Sequence, residues 1–70
     1  MDRASDGKNR IIEALRKLDG KVHTKKIAET AKMSPQTASK YLMALESEKR
    51  VERDSSQLPY IYWELKDGIG

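Results

Sequence analysis

Thr24-Lys-Lys-Ile-Ala-Glu-Thr-Ala-Lys-Met-Ser-Pro-Gln-Thr-Ala-Ser-Lys-Tyr-Leu42 reads as two short helices and the turn between them. Thr24 can cap the first of these helices, whose inner face is Ile27, Ala28 and Ala31. Lys32-Met33 forms the turn. Ser34-Pro35 then starts the next helix: the serine hydroxyl caps, and proline fits the first helical position because its missing N–H would be unpaired there. Ala38, Tyr41, Leu42 and Leu45 recur at i, i+3, i+4 and i+7, which predicts a helix to about Glu48 with those residues inward. Gln36, Thr37, Ser39, Lys40, Met43 and Ala44 face out.

Upstream, Ile11, Ile12, Ala14, Leu15 and Leu18 form a helical stripe from Lys8 onward, and Asp19-Gly20 ends it, with glycine free to take the left-handed cap conformation. Lys21-Val22-His23 is too short for a helix and reads as a minimal strand. Downstream the period changes to two. Val51-Glu52-Arg53 reads as a strand, residues 54–59 as a turn tipped by Ser55-Ser56-Gln57, and Tyr60 to Leu65 as a second strand. In that strand Ile61, Trp63 and Leu65 share one face and Tyr60, Tyr62 and Glu64 the other. Trp63 is expected in the core against the first and third helices, and Tyr62 is expected to pack. Residues 1–7 read as a flexible arm, 8–66 as one domain and 67–70 as a tail. The expected architecture is α+β: a three-helix bundle with a short first strand and a C-terminal two-stranded hairpin wing.

The 70 residues allow one small domain. Cysteine is absent and His23 is the sole histidine, which excludes disulfides, thiolate metal sites and His-paired catalysis. His23 itself reads as incidental in its short link. Glu46 and Glu48 lie two apart on a helix and face apart, and there is no nucleophile–base pair and no glycine-rich phosphate loop. The expectation is a binding domain with no catalytic activity, no metal and no cofactor. There is no membrane-length apolar run and no signal-like start, so a soluble cytoplasmic chain is expected.

Net charge is +3, from 14 basic and 11 acidic residues, and its distribution is uneven. Residues 21–45 carry Lys21, Lys25, Lys26, Lys32 and Lys40 against Glu29 alone, whereas residues 46–70 carry more acids than bases. A positive middle third suits a polyanion. A solvated lysine-rich face is the plainer alternative.

With Ile27-Ala28, Met33-Ser34, Thr37-Ala38-Ser39-Lys40 and Leu42/Leu45, residues 8–65 resemble the winged helix-turn-helix domains of prokaryotic and archaeal transcription regulators, including the MarR and ArsR families. The resemblance implies sequence-specific binding of double-stranded DNA, as a repressor, with the third helix in the major groove and the wing near the backbone. The residues support this on their own chemistry. Gln36 can bond an adenine edge, Lys40 can reach guanine acceptors, and Thr37 and Ser39 can meet a base or a phosphate. Backbone N–H groups near Thr24 and Ser34 suit phosphate oxygens, with Lys25, Lys26 and Lys32 alongside. On the wing Arg53 is the candidate, its alternative being a surface ion pair with Asp54 or Glu52. Many such domains have glycine where this chain has Lys32. If the turn needs a positive φ, Lys32 bears a strain of roughly 1 kcal/mol.

Two other readings stand beside this one. A winged helix can serve as a protein-interaction module in a replication or transcription assembly, and the acidic C-terminal third fits that. Z-DNA-binding domains share the wing with its Pro and Trp, but with Leu45 matched to their third-helix leucine, this chain has Ser39 and Met43 where they carry Asn and Tyr. That argues against Z-DNA. A homodimer is expected on DNA, because one recognition helix reads too few base pairs to mark a site.

Overall fold

The stripe Ile11, Ile12, Ala14 and Leu15 is wholly buried, and it drives the first helix. In the computed structural model, which describes residues 3–66, this helix, α1, spans Arg3–Leu18. It therefore begins at Arg3 rather than Lys8, and the part of the expected arm that is described is helical. A reason lies at Gly7, which is buried under the ring of Tyr41: a Cβ there would come within 2.3 Å of Tyr41 Cζ. A reading based on apolar side chains passes over a contact made by a residue without one. Met1, Asp2 and the expected tail 67–70 lie outside the described residues.

At the end of α1, two successive residues turn left-handed, Asp19 (φ 57°) and Gly20 (φ 72°), where only glycine was expected to. Aspartate tolerates this because its short carboxylate bonds locally, here accepting from Gly20 N–H at 3.0 Å. The short strand β1 (Val22–His23) leads into α2 (Thr24–Ala31).

The cap of α2 corrects the expectation. His23, not Thr24, is the N-cap, its Nδ1 accepting from Lys25 N–H at 3.1 Å. Thr24 is already helical, and its hydroxyl is used elsewhere: it accepts from Trp63 Nε1–H at 2.7 Å and donates to the Ile61 carbonyl at 3.3 Å. A buried indole N–H needs an acceptor, and Thr24 supplies it. The imidazole takes over the vacated capping role, so His23 is not incidental.

The turn after α2 is the left-handed type that Lys32 was expected to strain, with φ 58° and ψ 51°. Met33 N–H reaches back to the Ala28 carbonyl at 3.0 Å, closing a Schellman-type end. Helix α3 (Pro35–Ser47) follows, capped by Ser34, whose Oγ accepts from Thr37 N–H at 3.2 Å. Ala38, Leu42 and Leu45 are fully buried as the spacing requires.

The wing consists of β2 (Val51–Gln57) and β3 (Tyr60–Leu65), and its turn is Leu58-Pro59, joined by a cis peptide. Ser55-Ser56-Gln57 was expected at the tip but lies within β2. A bulge explains the difference: Asp54 pairs with Tyr62 and Gln57 with Tyr60, so β2 holds one more residue than β3 between these pairs. The Asp54 carboxylate organises the bulge, accepting from Ser56 N–H at 2.9 Å and Ser56 Oγ–H at 2.7 Å. Strand order is β1-β3-β2, antiparallel throughout, with Val22 opposite Trp63 and Val51 opposite Leu65.

Ile11, Leu15, Ile27, Leu42, Leu45 and Trp63 are the largest fully buried side chains, so the helices and the inner face of the sheet share one core. Trp63 is 2% exposed, as expected, but its polar anchor is on α2 rather than on the first or third helix. Tyr62 packs edge-on against His23, ring centroids 5.5 Å apart. The fold is the expected winged helix: three helices and a three-stranded antiparallel sheet.

Candidate nucleic-acid interface

Burial of Ala38, Leu42 and Leu45 leaves the opposite side of α3 in solvent. Gln36, Lys40, Met43 and Ser47 fall at i, i+4, i+7 and i+11 along it, and all four are exposed. Thr37 is exposed beside them, while Ser39 and Ala44 are half-buried at its margins. A slim polar helix face of this kind fits the width of a major groove.

Lys25 and Lys26 are exposed in the first turn of α2, and Lys32 is exposed in the turn that leads to α3. Lys25, Lys26, Lys32 and Lys40 enter no ion pair among the described residues. Several cations elsewhere are committed: Lys8 to Glu48, Arg16 to Glu13, Lys21 to Asp54, and Lys66 to Glu52 and Glu64. Arg10, Lys17, Lys49 and Arg50 also enter no ion pair among the described residues, so the α2–α3 lysines are not unique in this. They differ in lying on α2, on α3 and in the turn between the two.

Two candidates, Thr24 and Arg53, are placed differently from the expectation, while Ser34 caps α3 as expected. Thr24 is half-buried and its hydroxyl is held by Trp63 and Ile61. Ser34 Oγ caps α3 and donates to Thr37 Oγ1 at 2.9 Å, so the pair forms one hydroxyl cluster at the helix start. Arg53 pairs neither with Asp54 nor with Glu52. Its Nε lies 3.5 Å from Glu46 Oε2 on α3, which ties the wing to the C-terminal half of that helix. This pairing across the link from α3 to β2 follows neither a helix nor a strand period.

Asp54 is taken by Lys21 instead, at 2.8 Å. The lysine's hydrogen bond, reinforced by those from Ser56, holds the Asp54 carboxyl well below the usual carboxylate range, and the same contact raises Lys21. Arg10 was not singled out by its sequence position. Its guanidinium donates to the Lys32 carbonyl at 3.5 Å, at the edge of an open groove of about 240 Å³ between α1 and α2 that Lys17 also lines. Only the packing of α1 on α2 brings these cations together.

Among the described residues no cluster of His, Cys, Asp or Glu is placed to hold a metal ion, and no helix is long and apolar enough to cross a membrane.

Three helices, the capped turn between the last two and the hairpin that follows define a winged-helix domain. Within that class the chain belongs to the family described as FaeA-like protein, whose model matches residues 7–67. Among solved structures it is similar to the Zalpha domain from Carassius auratus PKZ in complex with Z-DNA, at 23% identity and a TM-score of 0.77, covering 91% of this chain and 98% of that one. No curated protein matches it.

Proposed function

We propose that this chain is a sequence-specific binder of double-stranded DNA and acts as a transcriptional regulator, in the manner of the MarR and ArsR repressors. The observation that carries this reading is that Lys25, Lys26, Lys32 and Lys40, on α2, the turn after it and the exposed face of α3, enter no ion pair among the described residues. Cations held for phosphate stay free of protein carboxylates, because an ion pair would have to break before each could replace a counterion. In this reading α3 enters the major groove, with Gln36, Thr37, Ser39 and Lys40 toward base edges. The N-termini of α2 and α3, at Thr24 and Ser34, face phosphates through backbone N–H groups, since both hydroxyls are already engaged. Arg53 stays near the backbone as part of a pair with Glu46. The domain works by binding rather than catalysis.

The Zalpha likeness raises left-handed DNA as a ligand class. Ser39 and Met43, where those domains carry Asn and Tyr, favour right-handed DNA for this chain.

The test is a titration of B-form and Z-form duplexes at two salt concentrations with the parent, Lys40→Ala, Lys25→Ala and Lys26→Ala. Lys40→Ala should fold normally and weaken binding to a selected site by about 1–3 kcal/mol, with less loss on random DNA. Lys25→Ala and Lys26→Ala should weaken all B-form sequences evenly and flatten the salt slope by about one for each phosphate that is no longer neutralised. Unchanged binding by Lys40→Ala would remove α3 as the reading element and make the protein-interaction module the better account.

A further inference from the structure

Met43 is the one large apolar side chain on the outer face of α3, and it is 52% exposed. It belongs neither to the buried core nor to the partly buried residues packed against it, which include Met33 and Tyr41. The fold therefore makes no packing use of it. Its stripe neighbours are Gln36 two turns before, Lys40 one turn before and Ser47 one turn after, all exposed and polar. The acid nearest along the helix on the wing side, Glu46, is held by Arg53 at 3.5 Å. An exposed thioether thus sits in a stripe whose one charge is the unpaired cation Lys40, a setting compatible with a polyanion.

We infer that Met43 is a specificity residue that reads the C5-methyl group of a thymine in the major groove. This rests on the DNA-binding reading above and adds a base to it. The major groove presents one apolar feature, the thymine methyl, and an apolar side chain on a groove-facing helix distinguishes thymine from cytosine through it. Gln36 and Met43 are roughly 10 Å apart along the helix axis, about three base-pair steps. The two residues therefore address different base pairs, Gln36 through hydrogen bonds and Met43 through apolar contact. Methionine suits the task because its unbranched thioether adapts to the surface that it meets.

The experiment starts from the duplex that the parent protein enriches from a random-core pool. That duplex is resynthesised with each thymidine in turn replaced by deoxyuridine, which deletes the methyl group and leaves base pairing intact. The parent should lose about three- to fivefold in affinity at one or two positions, the scale of one methyl group returned to water. Met43→Ala should bind the thymidine duplex more weakly and show no further loss at those positions. Its unfolding midpoint should match the parent's, because the side chain is outside the core.

If the parent shows no uracil-sensitive position, or if Met43→Ala keeps the same sensitivity, the inference is overturned while the DNA-binding reading stands. If the parent enriches no sequence and binds no duplex, both are overturned together.

Discussion

Lys32 occupies a left-handed conformation, φ 58° and ψ 51°, in which any side chain with a Cβ is crowded. Its backbone holds it there: the turn is closed by Met33 N–H on the Ala28 carbonyl, and Lys32 N–H donates to the Glu29 carbonyl at 3.2 Å. Glycine would keep both bonds and relieve the strain, offset in part by the greater freedom of the unfolded chain. Lys32→Gly is expected to raise stability by roughly 0.5–1 kcal/mol, read as a higher melting temperature. It should also weaken duplex binding slightly, since it removes one of the unpaired cations. A lower melting temperature would show that the lysine side chain stabilises the turn in a way its backbone does not reveal. The motif makes this residue conspicuous in the sequence because many domains of this fold carry glycine there. His23 had no such signal, since its capping role depends on Thr24 being drawn to Trp63 Nε1, 39 residues away.

At the scale of elements, two contacts join parts distant in sequence. The first sets Tyr41 of α3 on Gly7 of α1. Alanine is a better helix residue than glycine by about 1 kcal/mol, but its methyl would drive the ring off α1. Gly7→Ala is therefore expected to be more favourable in a Tyr41→Ala background than in the parent by about 1–3 kcal/mol, the cost of displacing the ring, as measured by denaturant unfolding of the four proteins. Equal effects in both backgrounds would contradict the close approach. The second contact joins the residue before β1 to the wing through Lys21 and Asp54. Asp54 is lowered in the folded protein, mainly by the lysine hydrogen bond and then by Ser56. A carboxyl lowered on folding contributes stability above its unfolded value, about 3.9, and loses it as pH falls through the folded value. Asp54→Asn should accordingly be less stable than the parent at pH 7, with the gap between them closing as the pH is brought from about 5 to about 2. A constant gap across that range would mean that the carboxylate charge is not what holds the bulge. Lys21 works in the opposite direction, its contribution being present at neutral pH and lost as pH rises through its elevated value.

For the whole molecule the controlling fact is size. The Cα radius of gyration is 11.0 Å, and one domain of this size presents one α3. On the DNA-binding reading proposed above, a single helix reads only a few base pairs, so selecting a site would take two copies on a two-fold site. The expected outcome is a homodimer on an operator-length duplex, seen as a doubling of protein mass by light scattering. A strictly monomeric complex at saturation would overturn it.

Much of this molecule is legible in one dimension. The period of Ile11, Leu15 and Leu18, the inner face Ile27, Ala28 and Ala31, the Ser34-Pro35 start and the alternation in Tyr60 to Leu65 specify three helices and a final strand, because helix and strand periods are local properties of the chain. The lysines of residues 21–45 and the outward face of α3 follow from the same periods, and so does most of the candidate interface. What the local pattern left open was decided by partners that helix and strand periods do not bring together. Arg53 turned to Glu46, Asp54 to Lys21, Thr24 to Trp63 and Gly7 to Tyr41. Each of these depends on which atoms packing brings within a few ångströms. Only the tertiary structure, by placing α1, the wing and α3 against one another, determined which cations were left free to meet a ligand.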